Sequence, residues 1–392
     1  MNNSSLVLIF SSVGHAFMHM FAAFYFVIIL SIEIEWNLSY DELIKLWSLG
    51  ALFVGLGAIP FGWLSDKWSR SSMIVIMFVG MGFSSIICGL SSSILGLFFG
   101  LSILGLSCSI YHPVGIAWVV NSSNKKGKAL GINGIFGSIG IGSGAFIAGF
   151  LLKFFSWNMT FIIPGLISIM IGLILLLFIF FNKISFKNIK SDFVNENNSN
   201  NNLIIIAVIM LCAMFGLGLT FQIMQTSLPK VLDIRLDDYS TFKIGSTIGI
   251  IYLLAGFMTF IGGILADKFS LKKIYIIGLG GQIPCYIAIA YFYGFPLIFV
   301  CLAAAMFNSS ILPAENILLS KFTPEKHHGL IYGCKFIIVF CSGPLAVFTV
   351  AKIYQMTLEF TNLFLISSLL MFFIFFLVIF LPYKDNNLKV SN

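Results

Sequence analysis

Five ionisable side chains stand inside long apolar stretches of the sequence, and they are the groups best placed to do chemistry. They are His15, His19, His112, Glu315 and Lys335. An ionisable group is costly to bury in apolar surroundings, so it usually faces a protein interior or a water-filled cavity and often has a function. All five are therefore candidates for binding a solute or for carrying a proton.

His15 and His19 are four residues apart, which places both rings on one face of a helix. Unperturbed imidazole titrates near pH 6.5, so the pair suits a proton relay or a contact with an anion. Two histidines at this spacing can also ligate a metal ion, but the sequence offers no further ligands at metal-binding spacing, and we predict no metal site and no cofactor. The alternative is a structural role, with both rings hydrogen-bonded to neighbouring helices.

His112 precedes Pro113, and a proline removes a backbone donor and can kink a helix. Such a kink would turn Tyr111 or His112 toward the interior, and Pro313 would have the same effect later in the chain. The alternative is that both prolines serve helix packing alone.

Glu315 and Lys335 lie near the facing ends of two consecutive apolar stretches, which predicts a buried ion pair. Removing one member of such a pair is costly, because the other charge stays buried without its partner. The pair is either structural, or it exchanges partners during a functional cycle.

The composition places these residues in a membrane protein. Of the 392 residues, 59% are hydrophobic and only 9% are charged, against about 45–50% and about 25% in soluble domains. So much apolar surface stays exposed only in hydrocarbon, which excludes soluble enzymes, nucleic-acid binders and disordered scaffolds. We therefore predict an all-α protein that spans the membrane many times.

Twelve apolar stretches are long enough to cross a bilayer as helices, at about 20 residues each. The predicted helices cover 6–30, 42–64, 72–91, 94–120, 129–152, 157–181, 203–228, 243–265, 274–293, 295–319, 329–351 and 361–381. Membrane-spanning strands are shorter and alternate in polarity, so a barrel does not fit.

The basic residues indicate the orientation. Most of the 22 Lys and Arg residues fall in the segments on the same side as the two termini, and the positive-inside rule places that side in the cytoplasm. The net charge of +7 thus reflects topology, and we expect no nucleic-acid partner. We predict a monomer in the cell (inner) membrane, and we interpret the seven cysteines as small buried residues.

Repeated motifs indicate an internal duplication. GWLSDKWSR and GILADKFSLKK, SIYHP and SSILP, and GKALG and GLIYG recur at one offset, to within two residues, and at equivalent places in the helix count. The polar segment between the copies predicts an N-terminal six-helix bundle at 1–182, a cytoplasmic linker at 183–202 and a C-terminal bundle at 203–392. Because six is even, the two bundles are parallel in the membrane.

The repeated Gly-x-x-x-Asp motif, followed by basic residues, resembles the signature of the major facilitator superfamily. That resemblance implies twelve helices in two parallel bundles and a conformational gate, whose carboxylates brace the cytoplasmic side in one state and release it in another. The alternative is that these are loop charges that follow the positive-inside rule. The gate residues would be Gly62, Asp66, Lys67, Arg70, Gly263, Asp267, Lys268 and Lys272.

Within that superfamily, SIYHPVG at 109–115 and GHAFMH at 14–19 resemble the fosmidomycin-resistance type. The superfamily resemblance also implies that the first, fourth, seventh and tenth helices line a central cavity. The polar candidates on these helices are His15, His19, Tyr111, His112, Gln222, Gln225, Asn308, Glu315 and Asn316.

The expected function is secondary active transport, in which two halves rock around a central site. We predict proton coupling and, because three His and one Lys outweigh one Glu, a small organic anion as the solute. No GxxxxGK[ST] motif is present, so we do not expect ATP hydrolysis. The alternatives are a drug exporter of neutral or cationic compounds and, more remotely, a transporter-like membrane sensor or enzyme; we predict no enzyme.

Overall fold

The computed structural model describes residues 3–123, 125–184, 203–321 and 328–381, and their regular structure is entirely helical. A short 3-10 turn, Lys45–Trp47, separates α2 from α3. The helices are α1 (Asn3–Trp36), α2 (Tyr40–Ile44), α3 (Ser48–Leu56), α4 (Ala58–Lys67), α5 (Arg70–Leu90), α6 (Ile94–Cys108), α7 (Tyr111–Ser122), α8 (Lys126–Phe154), α9 (Trp157–Phe180), α10 (Leu203–Arg235), α11 (Thr241–Lys268), α12 (Leu271–Tyr291), α13 (Phe295–Lys321), α14 (His328–Thr357) and α15 (Thr361–Ile379).

The predicted all-α fold with twelve spans is confirmed. Eleven helical segments are long and apolar enough to cross a bilayer, and the bent run from α2 to α4 supplies the twelfth. The prediction of one continuous second helix at 42–64 is wrong, because the chain bends by 41° between α3 and α4. The bend lies at Gly57, where a Cβ would be 2.3 Å from the Ser109 hydroxyl oxygen.

The fourth span is interrupted where the sequence predicts a kink. α6 ends at Cys108 and α7 begins at Tyr111, so Pro113 lies in the first turn of α7. A proline is tolerated there, because the first turn of a helix has no partner for its backbone N–H groups. Pro313 lies inside α13, which continues through it as one helix, and the kink predicted there stays a prediction.

Buried and exposed faces separate as expected for a protein in lipid. α1 is central to the first half of the chain, and its Phe21, Phe24 and Tyr25 have no exposed surface. On α9 and α15, by contrast, large apolar side chains such as Phe180 and Phe373 point outward. Hydrocarbon is the solvent in which such an exterior is stable.

The two halves of the chain, 3–184 and 203–381, meet along α8 and α11. A Cβ on Gly142 would lie 2.8 Å from the Gly249 carbonyl oxygen, and one on Gly245 would lie 2.4 Å from the Ala145 carbonyl oxygen. Only residues without a side chain permit backbones to approach this closely, as is common between membrane helices. The glycine-rich sequence of α8 is therefore an interface with the other half.

The loops 36–40, 90–94, 154–157, 235–241, 291–295 and 357–361 lie on one side of the membrane, called here the opposite side; the chain ends lie on the terminus side. On the opposite side, the buried guanidinium of Arg235 forms a bidentate pair with Glu359, in which Nε donates to Oε1 at 2.7 Å. Arg235 also donates to the Ile289 carbonyl. One side chain at the end of α10 thereby holds the loop 357–361 and the last turn of α12.

The predicted linker falls between α9 and α10, which end at Phe180 and begin at Leu203. Residues 185–202 lie outside the described residues. The boundaries at 182 and 203 therefore stay a prediction, and so does the cytoplasmic position of both termini.

Two glycines of α8 differ in whether the structure leaves room for a side chain. A Cβ on Gly140 would lie 2.3 Å from the Ala16 carbonyl oxygen in α1, whereas a Cβ on Gly131 would meet no atom within 4 Å. We expect Gly140→Ala to cost about 1–3 kcal/mol through overpacking. Gly131→Ala should be neutral or slightly stabilising, since alanine favours the helix. Thermal unfolding of both variants in detergent measures the difference, and equal losses would contradict this packing.

Arg235 makes the stability of the opposite side sensitive to acid. Burial by itself raises the pKa of Glu359, but hydrogen bonds from the Arg235 side chain and the Phe360 amide outweigh it and hold the pKa below its usual value of 4.5. A carboxyl group whose pKa is lowered by folding stabilises the protein above its unfolded pKa, and this contribution is lost as the pH falls through the folded pKa.

We therefore expect Glu359→Gln to be less stable than the parent chain near neutral pH, with a gap that narrows as the pH falls below about 4. The melting temperature measured across this pH range tests the expectation. Glu35→Gln is the matched control, because Glu35 is exposed; it should stay within about 0.5 kcal/mol of the parent. A constant gap across the range would show that the charge of Glu359 is not what stabilises the loops.

Candidate functional site

Three histidines meet in the first half of the chain. His15 and His19 of α1 face His112 of α7, and one ring nitrogen of each lies within 4.8 Å of the other two. The ring centroids are 5.0 Å apart for His15 and His19, and 5.4 Å apart for each of them and His112. Within the described residues, this is the one group of three or more His, Cys, Asp or Glu side chains with the spacing of metal ligands.

A hydrogen-bonded network fixes one side of this histidine cluster. His15 Nδ1 lies 2.8 Å from the Asn133 carbonyl oxygen, and the Tyr111 ring stacks on His15 at 4.6 Å. The Asn133 amide donates to the Tyr111 hydroxyl at 2.7 Å, and the Ser11 hydroxyl donates to the Gly115 carbonyl. Asn133 is absent from the sequence prediction, although a buried amide inside the apolar α8 was a signal for it.

His112 is buried in the cluster without a hydrogen bond to its ring. Its side chain is buried, and neither ring nitrogen has a hydrogen-bond partner. Phe336 and Phe340 of α14 cover the ring, with centroids at 4.7 and 4.8 Å. Since α14 belongs to the second half, His112 lies where the two halves meet.

A small cavity lies beside the cluster, between the halves. The space inside it for water-sized molecules is about 30 Å³, room for about two waters. Its walls combine aromatic rings with amide, hydroxyl and imidazole groups, and come from α1, the turn before α3, α3, α10 and α14. The lining residues are Met18, His19, Ala22, Phe26, Trp47, Ala51, Val54, Phe221, Gln222, Gln225, Thr226, Phe340, Gly343 and Val347.

The predicted site residues are thus divided among several environments. His19, Gln222 and Gln225 line the central cavity. Asn308 lines a second, smaller cavity within the second half and donates to the Gln282 amide oxygen at 3.3 Å. The expectation that the fourth and tenth helices line the central cavity differs from the structure, because α3 and α14 occupy that position.

Glu315 and Lys335 form the ion pair that the sequence predicts, between α13 and α14. Both side chains are buried. The Tyr275 hydroxyl of α12 donates to Glu315 Oε2 at 2.9 Å, and Lys335 also donates to Asn316 Oδ1 at 2.6 Å. Lys335 precedes Phe336, so the ion pair is one residue from the ring that covers His112.

The first predicted gate motif pairs within its own half of the chain. The exposed Asp66 carboxylate accepts from Arg70 Nη2 at 2.8 Å, and Lys67 Nζ lies 4.0 Å from the centroid of the Trp63 ring. A Cβ on Gly62 would lie 3.2 Å from Pro113, which gives this glycine a packing role.

The second gate motif differs from the first. A Cβ on Gly263 would meet no atom within 4 Å, and the Asp267 and Lys268 side chains are exposed. Lys272 donates to the carbonyls of Ile379 and Leu381 at 2.7 and 2.8 Å, which joins α12 to the end of α15.

The halves are tied together on the opposite side by contacts that the sequence did not predict. Lys230 of α10 donates to Glu33 of α1 at 2.8 Å. The Tyr40 hydroxyl donates to the Thr226 carbonyl at 3.1 Å, and its ring packs edge-on against Tyr354 at 5.1 Å. The signal available in the sequence was a set of charged and aromatic residues near helix ends, which by itself names no partners.

Comparison with known families and proteins identifies transporters. The family model described as Major Facilitator Superfamily matches residues 12–333 and 203–391. The riboflavin transporter RibZ of Clostridioides difficile is 32% identical over 118 residues, which are 29% of this chain and 26% of that protein. The putative niacin/nicotinamide transporter NiaP of Bacillus subtilis is 26% identical over 145 residues, 36% of this chain and 35% of NiaP.

An uncharacterized transporter of Buchnera aphidicola is 26% identical over 250 residues, 62% of this chain and 58% of its own length. The chain thus spans less than two thirds of each of these three relatives. Two crystal structures of a bacterial homologue of the human lysosomal transporter Spinster, inward-facing and either unoccupied or occupied, both have a TM-score of 0.72. Their sequences are 16% and 18% identical to this one. Each match covers 97% of this chain and 95% or 94% of the other protein, which shows a shared fold.

The buried ion pair gives a stability prediction. We expect Glu315→Gln to lower the free energy of unfolding by about 3–5 kcal/mol, because the charge of Lys335 stays buried without its main partner. Adding Lys335→Met removes that charge, so the double variant should recover most of the loss. Thermal unfolding of the single and double variants closes a double-mutant cycle. Losses that simply add would mean that the two charges do not stabilise each other.

Proposed function

This chain belongs to the Major Facilitator Superfamily, and we propose that it is a proton-coupled secondary transporter of a small organic anion with a flat ring. The family and the relatives are transporters, which leaves the solute and the driving ion to be argued from the site. The observation that carries the proposal is the cavity between the halves, whose walls are aromatic and rich in hydrogen-bond donors.

The aromatic walls favour a planar solute. Phe26, Trp47, Phe221 and Phe340 all line the cavity, and rings of this kind stack on flat molecules. Riboflavin and niacin, named for two of the relatives, both contain heteroaromatic rings. At about 30 Å³ the cavity is smaller than such a solute, so the halves must separate before it enters.

Hydrogen-bond donors favour an anion over a cation. Gln222, Gln225 and Thr226 offer amide and hydroxyl donors to the cavity, and none of the described residues lining it is a carboxylate. A drug exporter selective for cations would need a negative group at this place.

Alternating access follows from rocking of the predicted bundles at 1–182 and 203–392 around the central site. The tie between Glu33 and Lys230 closes the opposite side in this conformation. If the termini are cytoplasmic, as the basic residues predict, the closed side is the outer one, as expected also for the two inward-facing Spinster homologue structures. The gate residues around Asp66 and Asp267 would then brace the terminus side in the outward-facing state.

Proton coupling is assigned to Glu315. This carboxylate is buried and balanced by Lys335, and a proton can take the place of the lysine when α13 and α14 shift. Phe336 connects that movement to His112 in the other half. The fosmidomycin-resistance motifs GHAFMH and SIYHPVG meet at this same point, and membership of that type is part of the proposal.

Transport by purified protein in liposomes tests the proposal. With an imposed pH gradient, labelled nicotinate is expected to accumulate in the vesicles, and a protonophore should abolish the accumulation. The double variant Glu315→Gln, Lys335→Met should still exchange nicotinate across the membrane without a gradient, but it should no longer accumulate it. Glu35→Gln makes the same change at an exposed carboxylate and should transport as the parent does.

Three outcomes would contradict the proposal. Gradient-driven accumulation by the double variant would remove Glu315 from coupling. Exchange that is unaffected by Gln222→Leu and Gln225→Leu would remove the cavity from solute binding. Failure of nicotinate and a panel of other ring-containing carboxylates to exchange at all would overturn the solute class.

A further inference from the structure

We propose that His15, His19 and His112 form a binding site for a divalent transition-metal ion of the zinc type. The inference goes beyond the transport function, because it concerns ligands that the sequence alone does not bring together. His15 and His19 share a helix face, and His112 reaches them from a different span. Three imidazoles with one open position are a common ligand set for zinc in proteins.

The spacing of the ligand atoms suits a metal ion. One ring nitrogen from each histidine lies within 4.8 Å of the other two. Zinc–nitrogen bonds are about 2.0–2.1 Å, so the ligand nitrogens of a tetrahedral site are about 3.4 Å apart. Closing the cluster to that spacing takes a shift of about 1 Å or less per ring, which rotation of the side chains can supply without moving a helix.

His15 already has the second contact that a metal ligand needs. The Asn133 carbonyl oxygen accepts a hydrogen bond from Nδ1 of this ring. Because a carbonyl cannot donate, this bond places the ring proton on Nδ1 and leaves Nε2 with a free lone pair. Metal-binding histidines in proteins usually have just such a partner, which fixes the tautomer and the ring orientation.

His112 supplies an independent observation that points to a ligand. Its side chain is only 7% exposed, and both of its ring nitrogens are buried without a hydrogen-bond partner. Phe336 and Phe340 pack on the ring and offer no polar atom. A buried polar group without a partner costs free energy, and coordination of a metal ion by one nitrogen would offset that cost.

His19 provides the route to the site. It lines the central cavity, so an ion can reach the cluster from there and the fourth ligand can be an oxygen of water or of a solute. Nitrogen ligands favour zinc, copper, nickel and cobalt over calcium and magnesium, which prefer oxygen. The chemistry of the ligands therefore selects the class of ion.

Cobalt spectroscopy of the full-length protein, purified in detergent without a polyhistidine tag, tests the proposal. Co²⁺ is expected to bind at one ion per chain, with the intense visible bands of a four-coordinate ion, and Zn²⁺ should displace it. Loss of a second-shell contact alone typically weakens metal binding about 10–100-fold, so His112→Gln and His19→Gln should each weaken Zn²⁺ binding by about 100-fold or more. Glu35→Gln changes an exposed side chain outside the cluster, keeps all three imidazoles and should bind as the parent does.

X-ray absorption of the zinc-loaded parent chain gives a second measurement that needs no variant. Three imidazole nitrogens at about 2.0–2.1 Å are expected. The absence of stoichiometric binding, a zinc shell with one imidazole or none, or equal affinity in His112→Gln would overturn the proposal. If His112→Gln fails to fold, as judged by size-exclusion chromatography, His19→Gln and the absorption spectrum decide the outcome.

Discussion

Hydrocarbon offers no hydrogen-bond partner, and this constraint determines where polar side chains lie in this protein. Inside the spans, two sets of them satisfy one another. Ser11, Tyr111 and Asn133 share hydrogen bonds across three helices, and Lys335 balances Glu315. Each group joins different helices, so the need to satisfy buried polar atoms helps to specify which helices pack together. His112, by contrast, is buried with neither ring nitrogen hydrogen-bonded.

Two kinds of contact join the halves of the chain, and they differ in how easily they are broken. Along α8 and α11 the contact is between backbones, made possible by glycines such as Gly142 and Gly245. At the opposite side it is made by an ion pair between Glu33 and Lys230 and by a hydrogen bond from Tyr40. Charged and hydrogen-bonded groups can exchange these partners for water when they separate, whereas apolar helix surfaces gain little from separating.

The fold was largely predictable from the sequence, because it follows from hydropathy and from a repeated motif, both of which are local. The ion pair of Glu315 was predictable for the same reason, since its two helices follow each other in the sequence. The cavity walls were not, because which helices face each other depends on the bend after α3 and on packing across the halves. The approach of His112 to His15 depends likewise on contacts that no local pattern contains.

The glycine interface of α8 and α11 has a mechanical consequence. Where Gly142 and Gly245 face the other half, the backbones touch without an intervening side chain of their own, so one helix can roll or slide over the other along this line. The resistance to this relative movement of the two helices depends on the size of the residues along their interface. Residue size at positions such as Gly249 can therefore change how freely the halves move against each other without altering any group that lines the cavity.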